Sequence, residues 1–532
     1  MITTAPYPGT LESRHGEYRG PDALFEKASR VPDPIRVAAL ALCIYATLRI
    51  LFFTLAFPLF NNLDEKLHFL TIQMYAKGHF PGKELPRIDR EFVGEFLPYW
   101  SPEYMGDARF MSQEAGVPLY QLSPQAYNAL IDHGYWAWKV EDLQHRLNFE
   151  AQGAPLYYLI AGAWYDLGTT LGFGGWRLAF WLRLINPISY GLLVWLSFLF
   201  VRKVYPERQF LQVAVPGLIA VFPQDVFFGM NRDVLPPTLW AAALLFMADA
   251  VFGEDHRPRF LIAASLLVGL SFLLEVSNCV LYGALAASIW IWLRHSQVPP
   301  KRKRWVLSGC VVAAFLPPSL WMLRNYRVIG DLTGSKAKIQ NFGWTVKPLM
   351  QMWHHPIFSW SGFSFFVVKL TRSVWHGDYD WHGLPMRSAT ADWFYVLSSG
   401  LMILIFVADF LRRRRSPPDS QRWAGWQSLW LVGGSVLFIL AVSMMFDYHK
   451  HLYPSQVHPF FVSGRIISGA LLPFALIYAS GLEWVTGHFR KRIPPLAVLA
   501  CLLLLITASE LRVRRPVISS PYNFFALSRW QR

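Results

Sequence analysis

Long apolar runs, separated by short basic turns and three long polar segments, set the pattern of this chain. Stretches of about 20 apolar residues, the length a helix needs to cross a bilayer, predict spans near 36–57, 178–201, 210–228, 232–252, 259–275, 278–293, 305–323, 393–411, 428–446, 466–486 and 493–511. Basic turns fix the orientation. The positive-inside rule asks that "RKVYPER" (202–208), "GEDHRPR" (253–259), "KRKR" (301–304), "RRRR" (412–415) and "RKR" (490–492) share one side. They do so only if the chain crosses an odd number of times between 154 and 201, so the apolar stretch 154–172 reads as re-entrant or interfacial. Residues 61–153, 324–392 and 447–465 then share the outer face. "RVRRP" (512–516) does not fit, because one final span cannot put both it and Arg490–Arg492 inside.

The resulting fold class is an all-α polytopic membrane protein with about 11–13 transmembrane helices. Its organisation reads as a cytoplasmic N-terminal segment (1–35), a transmembrane module (36–323) carrying the extracytoplasmic loop 61–153, a second such loop (324–392), C-terminal membrane helices (393–511) and a tail (512–532). Composition agrees. Of the 532 residues 53% are hydrophobic and 16% charged, against about 25% charged in soluble domains. The net charge of +15 resides largely in the basic turns. With no basic face on a folded domain, nucleic acid is excluded as a partner. Cys43, Cys279, Cys310 and Cys501 all fall inside predicted spans, so the long loops fold without disulfides. A polar stretch precedes the first apolar run, which therefore reads as a signal anchor rather than a cleavable signal.

Chemistry-bearing residues collect in the outer loops and at span ends. The stretch "NNLDEKLH" (61–68) opens the first loop directly after the first span. Residues 64–77 read as a helix with Leu67, Leu70 or Thr71, and Met74 on one face and Gly78 as its stop. Asp64 stands at its N-terminus with His68 one turn on. By residue type Asp64 is either an N-cap bonded to backbone N–H groups or a functional carboxylate. Ser123 and Pro124 start a second loop helix. "WMLRNYRVIGDLTG" (321–334) sets Arg324, Asn325 and Arg327 beyond a span, and "FVSGRIISG" (461–469) sets Arg465 at the start of another. Either arginine can grip a phosphate bidentately or snorkel to lipid headgroups. "GMNRDVL" (229–235) places Asn231, Arg232 and Asp233 at an outer turn, to face the same cavity or to cap the next helix. In "SVWHGDYDWHGLP" (373–385), His376, Asp378, Asp380 and His382 are framed by Trp375 and Trp381. That group suits a metal, a sugar, or a plain polar loop. His449, His451 and His458 show no ligand spacing, and no obligatory ion is predicted.

"LDEKLH" (63–68) followed by "NFEAQGAPLYY" (148–158) resembles the GT-C-type membrane glycosyltransferases, a group that includes protein O-mannosyltransferases and bacterial aminoarabinose transferases. These have an acidic pair in the first outer loop and a later acid before a proline–leucine–aromatic helix start. Ala154-Pro155 replaces the double proline of many relatives, and Gln152-Gly153 the basic or histidine residue of some. The resemblance implies transfer of a sugar from a polyprenyl-phosphate donor to a glycan, lipid or protein acceptor on the extracytoplasmic face of the plasma membrane. It casts Asp64 as general base, Glu65 as a group that orients the acceptor or helps hold a divalent metal, and Glu150 as a second acid, unless Glu150 is only a solvated carboxylate. His68, Arg324, Arg465, Asn231, Asp233, His376, Asp378, Trp381 and His382 are then substrate-binding candidates. Other classes remain open: a glycan ligase or polymerase, a non-catalytic scaffold, or a transporter or flippase. The last needs ionisable groups at mid-membrane, where Glu275 and Asp225 are the nearest candidates.

Overall fold

The computed structural model describes residues 33–104, 118–253, 257–412, 419–449, 454–489 and 494–530. Among these, nine helices are long and apolar enough to cross a membrane: Pro34–Ala56, Gly175–Val204, Arg232–Phe252, Val276–His295, Pro300–Val328, Ala389–Arg412, Ser420–Met445, Gly464–His488 and Pro495–Ile518. Two shorter apolar helices, Gln209–Ala220 and Pro258–Phe272, complete the set. Each of the apolar runs read from the sequence is thus a helix, and the chain is an all-α polytopic membrane protein. Residues 1–32 and 254–256, three arginines of 412–415, the cluster 490–492 and His451 lie outside the described residues.

Local sequence explains where the helices begin and stop. Pro34, Pro258, Pro300 and Pro495 each occupy the first helical turn, where a missing N–H is harmless. Gln209–Ala220 ends short of the expected 228 because Pro223 has no N–H to continue the ladder. The Gln224 side chain then accepts from Val226 N–H and starts a separate turn, Asp225–Phe228. The first span and Gly175–Val204 approach closely: a Cβ on Gly191 would strike Thr47 Oγ1, and the Cys43 thiol donates to the Gly191 carbonyl at 3.1 Å. Small residues permit such contact where no hydrophobic force drives it.

The stretch 154–172 forms the helix Leu156–Thr170. It packs against Gly175–Arg183 through stacked Trp164 and Trp181 indoles with centroids 4.5 Å apart. Each indole N–H donates to the other residue's carbonyl, at 3.0 and 2.9 Å. On its other side Gly162 meets the loop helix Glu65–Ala76, where a Cβ would stand 3.2 Å from Ala76 N.

The long polar segments gather at one end of the bundle. Thr345–Val346 pairs antiparallel with Phe446–Asp447, and Ser463 donates to Asp378 at 2.7 Å. The first loop has its own aromatic core of Phe60, Phe69, Phe92, Phe96 and Trp100. Burying each such ring stabilises by roughly 1.5–3 kcal/mol, which explains how the loop folds while all four cysteines stay unpaired.

The C-terminal tail accounts for the misfit of 512–516. The Tyr120 hydroxyl donates to the Pro521 carbonyl at 2.8 Å, and Leu119 N–H to the Tyr522 hydroxyl at 2.9 Å. The last span therefore ends beside the first loop, and 512–516 lies with the loops. Of its three arginines, Arg512 and Arg515 are exposed and Arg514 faces protein rather than headgroups. It is buried, stands 3.3 Å from Glu510 and lies 4.4 Å above the Phe228 ring.

Candidate active site at the loop end of the bundle

The stretch 61–68 is bonded to many parts of the chain. The Asn61 side chain donates to Glu65 at 2.9 Å and to the Tyr379 hydroxyl at 2.8 Å. Asn62 accepts from Asp380 N–H at 3.1 Å. Lys66 sits 5.2 Å over the Trp100 ring, and burial pushes its ammonium pKa down to about 8. The His68 Nδ1 meets the Tyr158 hydroxyl at 2.8 Å. Burial pushes this imidazole down to about 3 despite nearby Glu150, so His68 is a neutral hydrogen-bonding group.

The two adjacent acids have opposite surroundings. Glu65 is fully buried and accepts from Arg183 Nε and Nη2 at 2.6 and 2.7 Å, from Asn61 N–H at 3.1 Å and from Met230 N–H at 2.8 Å. Its oxygens are committed to holding the first span, Arg183 and the turn at 230 together, which leaves nothing for an acceptor or a metal. Asp64 takes φ +63°, a left-handed conformation sparsely used by side-chain-bearing residues, and its side chain makes no cap hydrogen bond. The side chain is 28% exposed, and the carboxylate lies 3.7 Å from Arg465.

Three other segments bring charges to the same place. Arg465 also reaches Asp233, at 3.7 Å, and its Nε is buried without a hydrogen-bond partner. Arg232 lies 3.2 Å from Glu150 and 2.5 Å from Glu275, and Lys338 lies 2.6 Å from Glu150. Burial alone would raise the Glu150 pKa, but Arg232 and Lys338 overcome it and hold the carboxyl well below the usual range. Glu150 is thus a paired anion rather than a solvated one. Gly153 provides the room: a Cβ there would run into Arg232 Nη1.

The remaining candidates divide. Asn231 accepts from Asp233 N–H at 2.9 Å and acts as a cap. Arg324 stands apart, donating to the Pro81 carbonyl at 2.5 Å and to Asn325 at 3.2 Å. The group 376–382 does not converge. His376 Nδ1 pairs with Asp392 at 2.6 Å, and Asp378 accepts from Ser373 and Ser463, each at 2.7 Å. Trp381 is buried against Tyr104, ring centroids 5.2 Å apart, so its indole offers no open sugar platform. His382 is exposed, and its backbone N–H donates to the Glu103 carbonyl at 2.9 Å. Among the described residues no group of three or more His, Cys, Asp or Glu side chains is arranged to hold a metal ion.

Sequence reading missed Lys338, which sits in no motif, and Arg183, the partner of Glu65. It also missed the buried trio Arg49, Glu510 and Arg514, in which Glu510 accepts from Arg49 Nε at 2.7 Å. The usable signal was a lone charge inside an apolar run, since such a charge needs a partner. No curated protein and no solved structure matches this chain. A family model described as "Predicted membrane protein (DUF2142)" matches residues 23–449, a range that includes Asp64, Glu150, Asp233 and Lys338 and stops short of Arg465, and the chain belongs to that family.

Proposed function

We propose that this protein is a membrane glycosyltransferase that moves a sugar from a polyprenyl-phosphate donor to an acceptor hydroxyl at the extracytoplasmic face. One observation carries the reading: the Asp64 side chain, at the head of the loop helix, makes no cap hydrogen bond and stands partly exposed beside Arg465. A group in that state suits a general base, which typically contributes about 10²–10⁴-fold in rate. In the step, the acceptor O–H gives its proton to Asp64 while its oxygen bonds to the anomeric carbon. The bond from that carbon to the phosphate oxygen breaks, and the electron pair leaves on the phosphate. Arg465 is the cation placed to receive that charge. His68, neutral and held by Tyr158, is available as a hydrogen-bonding group, and no step needs a metal.

A transporter reading draws support from Arg49 and Glu510, which are ionisable groups buried within spans, with Arg514 beside Glu510 at the loop end of the last helix. Arg49 is satisfied by Glu510 and by the carbonyls of Ala220 and Phe222, which suits a structural tie equally well. Radiolabelled polyprenyl-phosphate sugars, supplied to membranes with and without the protein, separate the readings. Label passing to a second molecule only when the protein is present supports transfer. Label crossing the membrane still attached to its carrier supports transport.

A further inference from the structure

Arg465 stands farther from its carboxylates than Arg232 and Lys338 do from theirs. Arg232 has two carboxylates within 3.2 Å, Lys338 has one at 2.6 Å, and Arg324 donates to a carbonyl at 2.5 Å. The terminal nitrogens of Arg465 instead reach Asp64 and Asp233 only at 3.7 Å, beyond hydrogen-bond range. Its Nε is buried with no partner. A guanidinium carries five N–H donors in a rigid fork, and leaving them unpaired in protein is unfavourable. Two carboxylates thus hold this group by charge and not by hydrogen bonds.

The backbone beneath it is fixed. Ser463 donates to Asp378 at 2.7 Å, Gly464 N–H donates to Ser373 at 2.6 Å, Ser277 donates to the Ile466 carbonyl at 2.9 Å, and Ser468 donates to the Asp233 carbonyl at 2.8 Å. The Cα of Arg465 is therefore pinned on both sides while its head group is held loosely. The two anions also differ, since the Asp233 side chain is 5% exposed and that of Asp64 28%. Asp233 is the fixed partner, and Asp64 is the one an incoming group can displace.

We infer that Arg465 couples the two substrates: the donor phosphate takes the guanidinium from Asp64, and only then is the Asp64 carboxylate released from Arg465 and able to accept the acceptor's proton. A phosphate can offer paired contacts of about 2.7–2.9 Å to the fork, where Asp64 offers none within bonding distance. Asp233 keeps the opposite edge of the guanidinium from turning away. The donor then binds first and the acceptor second. This inference rests on the glycosyltransferase reading.

The test is a binding measurement on the full-length protein in detergent, with undecaprenyl phosphate as the probe and tryptophan fluorescence as the readout. Removing the competing anion by Asp64→Asn should tighten probe binding by about 10-fold or more, because a neighbouring like charge opposes the phosphate. Arg465→Lys should weaken binding, and in that background Asp64→Asn should no longer have its full effect, since Lys lacks the fork. If the wild type binds the probe and Asp64→Asn leaves the affinity unchanged or weaker, the coupling is overturned and the glycosyltransferase reading stands. If the wild type does not bind the probe at all, that reading itself falls. Inorganic phosphate serves as the second probe. The same Asp64→Asn gain with free phosphate at equal affinity would overturn a lipid-borne source for the anion.

Discussion

Replacing Glu65 with Gln should unfold the protein more readily, whereas the same change at its neighbour Asp64 should not. Glu65 and Arg183 are both 0% exposed and meet at 2.6 Å. Glu65 also accepts from Asn61 and Met230. Gln keeps the shape but removes the charge, leaving Arg183 buried without a counter-ion. Breaking one side of a buried pair typically costs about 3–5 kcal/mol. At 2–4 °C per kcal/mol for a cooperative unit of 150–250 residues, this is about 10 °C of melting temperature. The assay is thermal unfolding of detergent-solubilised protein followed by size-exclusion fluorescence, read as a rank order because unfolding of such proteins is often irreversible. A Glu65→Gln protein with wild-type melting but no activity would refute this reasoning and make Glu65 part of the chemistry.

Three further outcomes are expected. Cysteines introduced at His79, Leu349 and Val457, all exposed at the loop end, should react alike with an impermeant thiol reagent in intact cells. One at Gly487 should react only after lysis; a split among the first three would break the shared-face topology. Stability should fall in acid partly through His68. Its pKa is pushed down to about 3 in the fold against about 6.5 unfolded, so the unfolded state binds the extra proton and stability is lost as pH falls from about 6.5 toward 3. His68→Gln should flatten that slope in melts between pH 7 and 4, and an unchanged slope would remove His68 as its source. Lys338→Met should leave Glu150 with Arg232 as its remaining close cation and lower the melting temperature by a few degrees; no change would mean the 2.6 Å pair is not formed in solution.

How much of this was legible in the sequence follows from the range of each interaction. Spans are local: about 20 apolar residues suffice to name one, and every predicted run is a helix. The break after Ala220 was equally local, written in Pro223 and Gln224, yet hydropathy passes over it. The role of Glu65 was not legible, because its partner Arg183 lies in a different span and only packing brings them together. Asp64 and Glu65 look equivalent as a pair of acids, and the left-handed backbone at Asp64 is what turns one outward and the other inward. Lys338 carries no motif and reaches Glu150 only because the loop after Val328 folds back over the first loop. The pairing of Arg514 with Glu510 was not legible either, because burial is something hydropathy cannot report.

The most direct test of the proposed function is sugar transfer by Asp64→Asn protein with saturating donor and acceptor, measured beside its melting temperature. Asn keeps the size and the hydrogen-bonding capacity but cannot take a proton. It also tolerates left-handed backbone and caps helices nearly as well as Asp. The prediction is a melting temperature near wild type together with a loss of transfer of about 10²-fold or more. Full transfer by the Asp64→Asn protein would contradict the assignment of Asp64 as the base.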